Sequence, residues 1–137
     1  MKIVDKLAAS AVNNKAQSVV KIRNMVIGEG MTKICAPITG VTEKEVLDQA
    51  WQICQEKVDI VEWRCDWYED VEKLDRVKEV LCKLRTLFGE RTLLVTFRTK
   101  QEGGNLAIPK EVYRDINKTV IRNQKKSRVK WDYRWNG

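Results

Sequence analysis

Three charged side chains stand near the ends of two short apolar runs. Along Val58 to Arg64, strand alternation puts Val58, Ile60, Glu62 and Arg64 on one face. Along Arg91 to Arg98, the same alternation groups Thr92, Leu94, Thr96 and Arg98. If the two runs are neighbouring parallel strands, a carboxylate and two guanidiniums meet at their carboxyl ends, where parallel α/β folds place their ligands. Two planar donor forks suit a small substrate bearing a carboxylate or several hydroxyls. Glu62 would offset part of that charge and accept from hydroxyls. The spacing fits equally well a buried Glu–Arg pair that only holds the strand ends together, and spacing alone leaves both open.

Other chemistries lose their ingredients. The 137 residues include no histidine, so no imidazole mechanism runs on this chain alone. The four cysteines, at 35, 54, 65 and 82, form no CxxC pair. A disulfide framework or a structural zinc is therefore not expected, and buried free thiols in a reducing cytosol are. Cys65 falls on the strand face opposite Arg64 and should pack under a helix rather than act as a nucleophile. Trp51 and Trp67 read as packing or surface aromatics. Gly28-Glu29-Gly30 precedes a strand rather than a helix, which is the wrong order for a phosphate loop.

The elements that would position the charged trio alternate. Val19 to Gly30 reads as a hairpin, and Lys33 to Ile38 as a first strand. Thr42, with Glu45 three residues on, forms a capping box for an amphipathic helix over 43–57. Val58 to Arg64 is the second strand. Asp70 is the expected cap of a second helix whose stripe is Val71, Leu74, Val77, Leu81, Leu84 and Phe88, ended by Gly89. Arg91 to Arg98 is the third strand, apolar enough for burial on both faces. Pro109 fits the first turn of a third helix, continued by Val112, Tyr113, Ile116 and Val120. The order predicts an α/β fold with a parallel sheet, either doubly wound or part of a (β/α)8 barrel.

Val61-Glu62-Trp63-Arg64-Cys65-Asp66 and Thr96-Phe97-Arg98-Thr99-Lys100-Gln101-Glu102-Gly103-Gly104 resemble two signature segments of the type I 3-dehydroquinate dehydratases. The lead-in from Arg23 to Met31, followed by Lys33-Ile34, resembles that family's hairpin and first strand. The resemblance implies a (β/α)8 TIM barrel, here the hairpin plus about three β/α units over residues 19–122. It implies dehydration of 3-dehydroquinate to 3-dehydroshikimate in the shikimate pathway through a lysine Schiff base, with no metal or organic cofactor. It assigns Glu62, Arg64 and Arg98 to substrate binding. Glu102 becomes the carboxylate that partners the catalytic histidine, on a stretch, Thr99 to Ala107, that otherwise reads as a flexible loop. The family's histidine, its Schiff-base lysine and a further arginine belong to later strands, and Lys100 is not at the Schiff-base position.

The net charge of +7 is unevenly spread: residues 1–18, an extension, carry +2, residues 19–122 carry +1, and residues 123–137 carry +4. A balanced body argues against a nucleic-acid face. The last segment, with five basic residues and two Trp, lacks the character of a buried parallel strand. The expectation is a truncated or frameshifted, inactive family product. A basic tail binding nucleic acid or an acidic partner is the alternative, since Val129, Trp131, Tyr133 and Trp135 alternate with polar residues. No run is long and apolar enough for a membrane span, and a cytoplasmic chain that self-associates through open barrel edges is expected.

Overall fold

The computed structural model describes residues 18–126; the extension before residue 18 and the segment from residue 127 lie outside the described residues. Contacts divide the chain into two units, residues 1–32 and 33–137. In the first, β1 (Val20–Ile22) pairs antiparallel with β2 (Met25–Ile27), with Ile22 opposite Met25. The two-residue turn between them needs a positive φ, which Arg23 supplies at 52°.

Among the described residues of the second unit, three strands and three α-helices alternate. β3 (Cys35–Ile38), β4 (Ile60–Arg64) and β5 (Thr92–Thr96) form a parallel sheet in chain order, with β4 central. The helices are α1 (Glu43–Cys54), α2 (Leu74–Phe88) and α3 (Lys110–Lys126). Right-handed crossovers that always advance in one direction leave successive helices on one side of the sheet. Accordingly α1 packs on α2, and α2 on α3.

The expected capping box forms. Thr42 Oγ1 accepts from Glu45 N at 3.1 Å, and Glu45 Oε2 accepts from Thr42 N at 3.3 Å. The helix stops at Cys54, short of 57, because Gln55 N and Glu56 N bond to carbonyls three residues back and tighten the last turn. The start of α2 also differs from expectation. Asp70 does not cap it; its carboxylate pairs with Lys73 Nζ at 2.8 Å, and the first helical bonds run to the carbonyl of Lys73. The apolar stripe is nonetheless the core, with Val71, Val77, Val80, Leu81, Leu84 and Phe88 buried. Gly89 ends α2 with φ 56°. Pro109 stands just before α3, where its carbonyl accepts from Tyr113 N at 3.1 Å. That helix continues through Lys126, into the segment the charge pattern sets apart.

The sheet is two-faced. Ala36, Val61 and Leu93 lie side by side on the helix side, as do Ile38, Trp63 and Val95. All but the half-buried Ala36 are buried, and Ile38, Val61, Trp63 and Leu93 have no exposed surface. On the opposite side, Glu62 lies between Pro37 and Leu94, and Arg64 neighbours Thr96. These residues are exposed or half-buried, so β5 is not buried on both faces as its composition suggested. Among the described residues no helix is long and apolar enough to cross a membrane.

Candidate active site

Glu62 and Arg64 occupy successive outward positions on the open face of β4, with Arg64 at its carboxyl end. Both are half-buried. The pKa of Arg64 is raised chiefly by its hydrogen bonds to Asp66, with a smaller contribution from the charge of Glu62; that of Cys35 is raised by burial first and by Glu62 second. The guanidinium, however, does not pair with Glu62. Its Nε and Nη2 donate to Asp66 Oδ1 and Oδ2, each at 2.8 Å. A simple Glu62–Arg64 brace is therefore not what forms.

Asp66 is the residue that strand alternation does not reveal. It lies past β4 in a single 3-10 turn, Cys65–Trp67, and is 1% exposed. Its Oδ1 also accepts from Arg98 N at 3.3 Å, and its Oδ2 from Asn105 N at 3.2 Å. Burial pushes its pKa up, but the bonds from Arg64 and the two backbone amides prevail and hold it below the ordinary aspartate range. The available sequence signal was an acid two residues beyond an arginine at a strand end.

Arg98 lies just beyond β5. Its backbone is tied to Asp66, while its exposed guanidinium makes no ion pair among the described residues. Glu62 and Arg64 thus share a face, and Arg98 is tethered nearby through its main chain without its charged head reaching either. The stretch after it is more ordered than a flexible loop. Lys100–Glu102 form a 3-10 turn closed by a capping box. Glu102 Oε2 accepts from Thr99 Oγ1 at 2.8 Å and from Thr99 N at 3.1 Å. Those bonds, with a smaller effect of Arg98, lower its pKa. Its Oε1 takes no donor among the described residues.

The remaining singled-out residues behave as packing or surface groups. Of the four thiols expected to be buried only Cys65 is; Cys54 is half-buried, and Cys35 and Cys82, on an edge strand and on the outer side of α2, are exposed. The Cys65 Sγ donates to Thr96 O at 3.4 Å, and burial raises its pKa far enough to disfavour a thiolate. Trp51 is exposed in a shallow apolar groove with Leu47, Cys82 and Leu87, on the helix layer and away from the strand ends. Trp67 is at the surface, and Lys100 is exposed in its turn. Among the described residues no group of three or more His, Cys, Asp or Glu is arranged to hold a metal ion.

The family model for type I 3-dehydroquinase matches residues 34–133. The 3-dehydroquinate dehydratase of Clostridium botulinum (strain Eklund 17B) is 46% identical over 106 residues, covering 77% of this chain and 42% of that protein. That of Bacillus velezensis is 46% identical over 102 residues, covering 74% and 40%. Among solved structures, the type I enzyme of Clostridium difficile, crystallised with covalent modified comenic acid, superposes with a TM-score of 0.75 at 40% identity, covering 77% of this chain and 42% of that one. The 3-dehydroquinate dehydratase of Enterococcus faecalis gives a TM-score of 0.73 at 35% identity, covering 76% and 43%. The chain spans about two fifths of the length of the curated relatives it matches. It belongs to the type I 3-dehydroquinase family.

Proposed function

We propose that this chain carries the substrate-anchoring side of a type I 3-dehydroquinate dehydratase site, built on the first three β/α units of a (β/α)8 barrel. Glu62 and the outward donors of Arg64 bind the hydroxyls and carboxylate of 3-dehydroquinate, and Arg98 closes on the substrate from the end of β5. The observation that carries this reading is the placement of Glu62 and an Asp66-clasped Arg64 on the open face, at the carboxyl ends of parallel strands. A guanidinium already fixed by two bonds loses little freedom when it binds an anion. Glu102 is the carboxylate that would orient a histidine, with Oε2 held by Thr99 and Oε1 open.

Dehydration by this route needs a lysine amine to add to the substrate ketone and expel water, giving the Schiff base. The adjacent C–H proton then passes to a base, the β-hydroxyl leaves as water after protonation, and hydrolysis of the imine takes back one water to release the product ketone and the free lysine. The polypeptide contains no histidine, so it lacks the family's base and acid, and by itself it is inactive. The exposed thiols Cys35 and Cys82 suit a reducing, cytoplasmic setting. The open sheet face and the strand edges favour association with a second copy of the chain.

The test uses the full chain with 3-dehydroquinate. Binding at the open face, with no 3-dehydroshikimate formed and no adduct trapped by borohydride, supports the reading. A stoichiometric adduct on any lysine would overturn the inactive assignment, and absence of binding at Glu62 and Arg64 would overturn the anchoring role.

A further inference from the structure

The carboxylate of Asp66 is used symmetrically. Each oxygen takes one N–H of Arg64 and one backbone N–H from the segment after β5: Oδ1 from Arg64 Nε and Arg98 N, Oδ2 from Arg64 Nη2 and Asn105 N. Four donors on a buried carboxylate leave no lone pair for proton transfer, so its work is geometric. The two amides mark the two ends of one closed segment, residues 98–105. Inside that segment Gly104 N donates to Thr99 O at 2.8 Å, Gly103 N to Lys100 O at 3.1 Å, and Glu102 is fixed by Thr99. The closure is tight: a Cβ on Gly104 would fall 1.8 Å from Arg98 O. No side chain fits there without opening the segment.

We propose that Asp66 is a positioning residue that clasps the Arg64 guanidinium and both ends of the 98–105 segment, so that Arg64, Arg98 and Glu102 keep their mutual placement through one carboxylate. That the clasp serves substrate rests on the anchoring reading above. Without Asp66, the guanidinium would turn toward Glu62 or solvent. The same loss would free Arg98 N and Asn105 N together, which a brace serving only one strand end would not do. Burial of Asp66 opposes its charge, and the groups that favour it are the Arg64 guanidinium on β4 and the two amides flanking the 98–105 turn.

Two NMR measurements on the full chain test the clasp. In Asp66→Ala, both acceptor oxygens and the charge are removed together. Exchange of the Arg98 and Asn105 amides should then accelerate together, by about tenfold or more, while the Val61 and Val95 amides are unchanged. Unchanged exchange at both ends, or loosening at one end only, would overturn the proposal, as would equal acceleration throughout the sheet. Should the variant not fold, wild-type chain decides. On acidification the Arg64 Nε–H, Arg98 N–H and Asn105 N–H signals should move with one shared midpoint below the ordinary aspartate range, and separate midpoints would refute the clasp. Adding 3-dehydroquinate tests the substrate reading independently. An unmoved Arg64 Nε–H signal would sink anchoring, while the exchange rates alone would still decide whether the clasp exists.

Discussion

The two faces of one three-stranded sheet divide the labour of this molecule. Toward the helices, Ile38, Val61, Trp63 and Leu93 are wholly buried, and the α2 stripe seals them. On the opposite face, one residue along each strand, Pro37, Glu62, Arg64 and Leu94 keep part of their surface. Apolar burial at roughly 25 cal/mol per Å2 makes the first face the source of stability. The second face collects the carboxylate, the guanidinium and the segment ends that a polar ligand needs. Folding and chemistry are therefore separable here: a change on one face should leave the other largely intact.

The largest effect concerns reaction rate. Enzymes of any class gain about 10^6-fold or more over the uncatalysed reaction. With no histidine to move the proton, this chain should show none of that gain, and a continuous assay of 3-dehydroshikimate formation checks it.

Next comes the core. Trp63→Ala removes a side chain with no exposed surface and should cost about 3–5 kcal/mol, seen as a collapse of the denaturation midpoint. Trp63→Phe should cost much less, since it also removes a buried Nε1–H that has no hydrogen-bond partner among the described residues.

Acid separates the faces differently. The pKa of Asp66 is lowered in the folded chain, so its contribution to stability is complete above the ordinary aspartate value of about 4. That contribution should fade as pH falls through the depressed folded value, and Asp66→Asn should flatten the low-pH limb of a stability profile. At the small end, Thr42→Ala removes a cap from α1 and should cost about 1 kcal/mol. Glu62→Gln should move stability by no more than about 0.5 kcal/mol while weakening ligand binding, both readable from one set of melts and titrations.

How much of this was legible in the sequence follows the same division. Patterns that repeat along an element could be read directly: the α2 stripe, the Thr42–Glu45 box, and the alternation that puts Glu62 and Arg64 on one face. What failed depended on contacts between distant segments. Asp70 looked like a cap, but the helix begins at Leu74 with Lys73 in the cap position, three residues further on, and the Asp70 carboxylate pairs with Lys73 Nζ instead. Asp66 was invisible to alternation because it sits in a turn, and its partners Arg98 and Asn105 are more than thirty residues away. The Thr99 to Ala107 stretch looked loose because a capping box in a single 3-10 turn leaves no periodic trace, although Thr99 and Glu102 have the same spacing as Thr42 and Glu45. The guanidinium of Arg98 shares the predicted strand face only by extrapolation past Thr96, where β5 ends.

Substrate anchoring is tested most directly by titrating isotope-labelled full chain with 3-dehydroquinate, followed by NMR. Saturable shifts are expected at Glu62, Arg64 and the Arg98 region, with affinity on the order of millimolar. The helix-facing row of Val61, Trp63 and Val95 should stay silent. Shifts centred on the groove beside Trp51, or none at the strand ends at saturating ligand, would contradict the anchoring role.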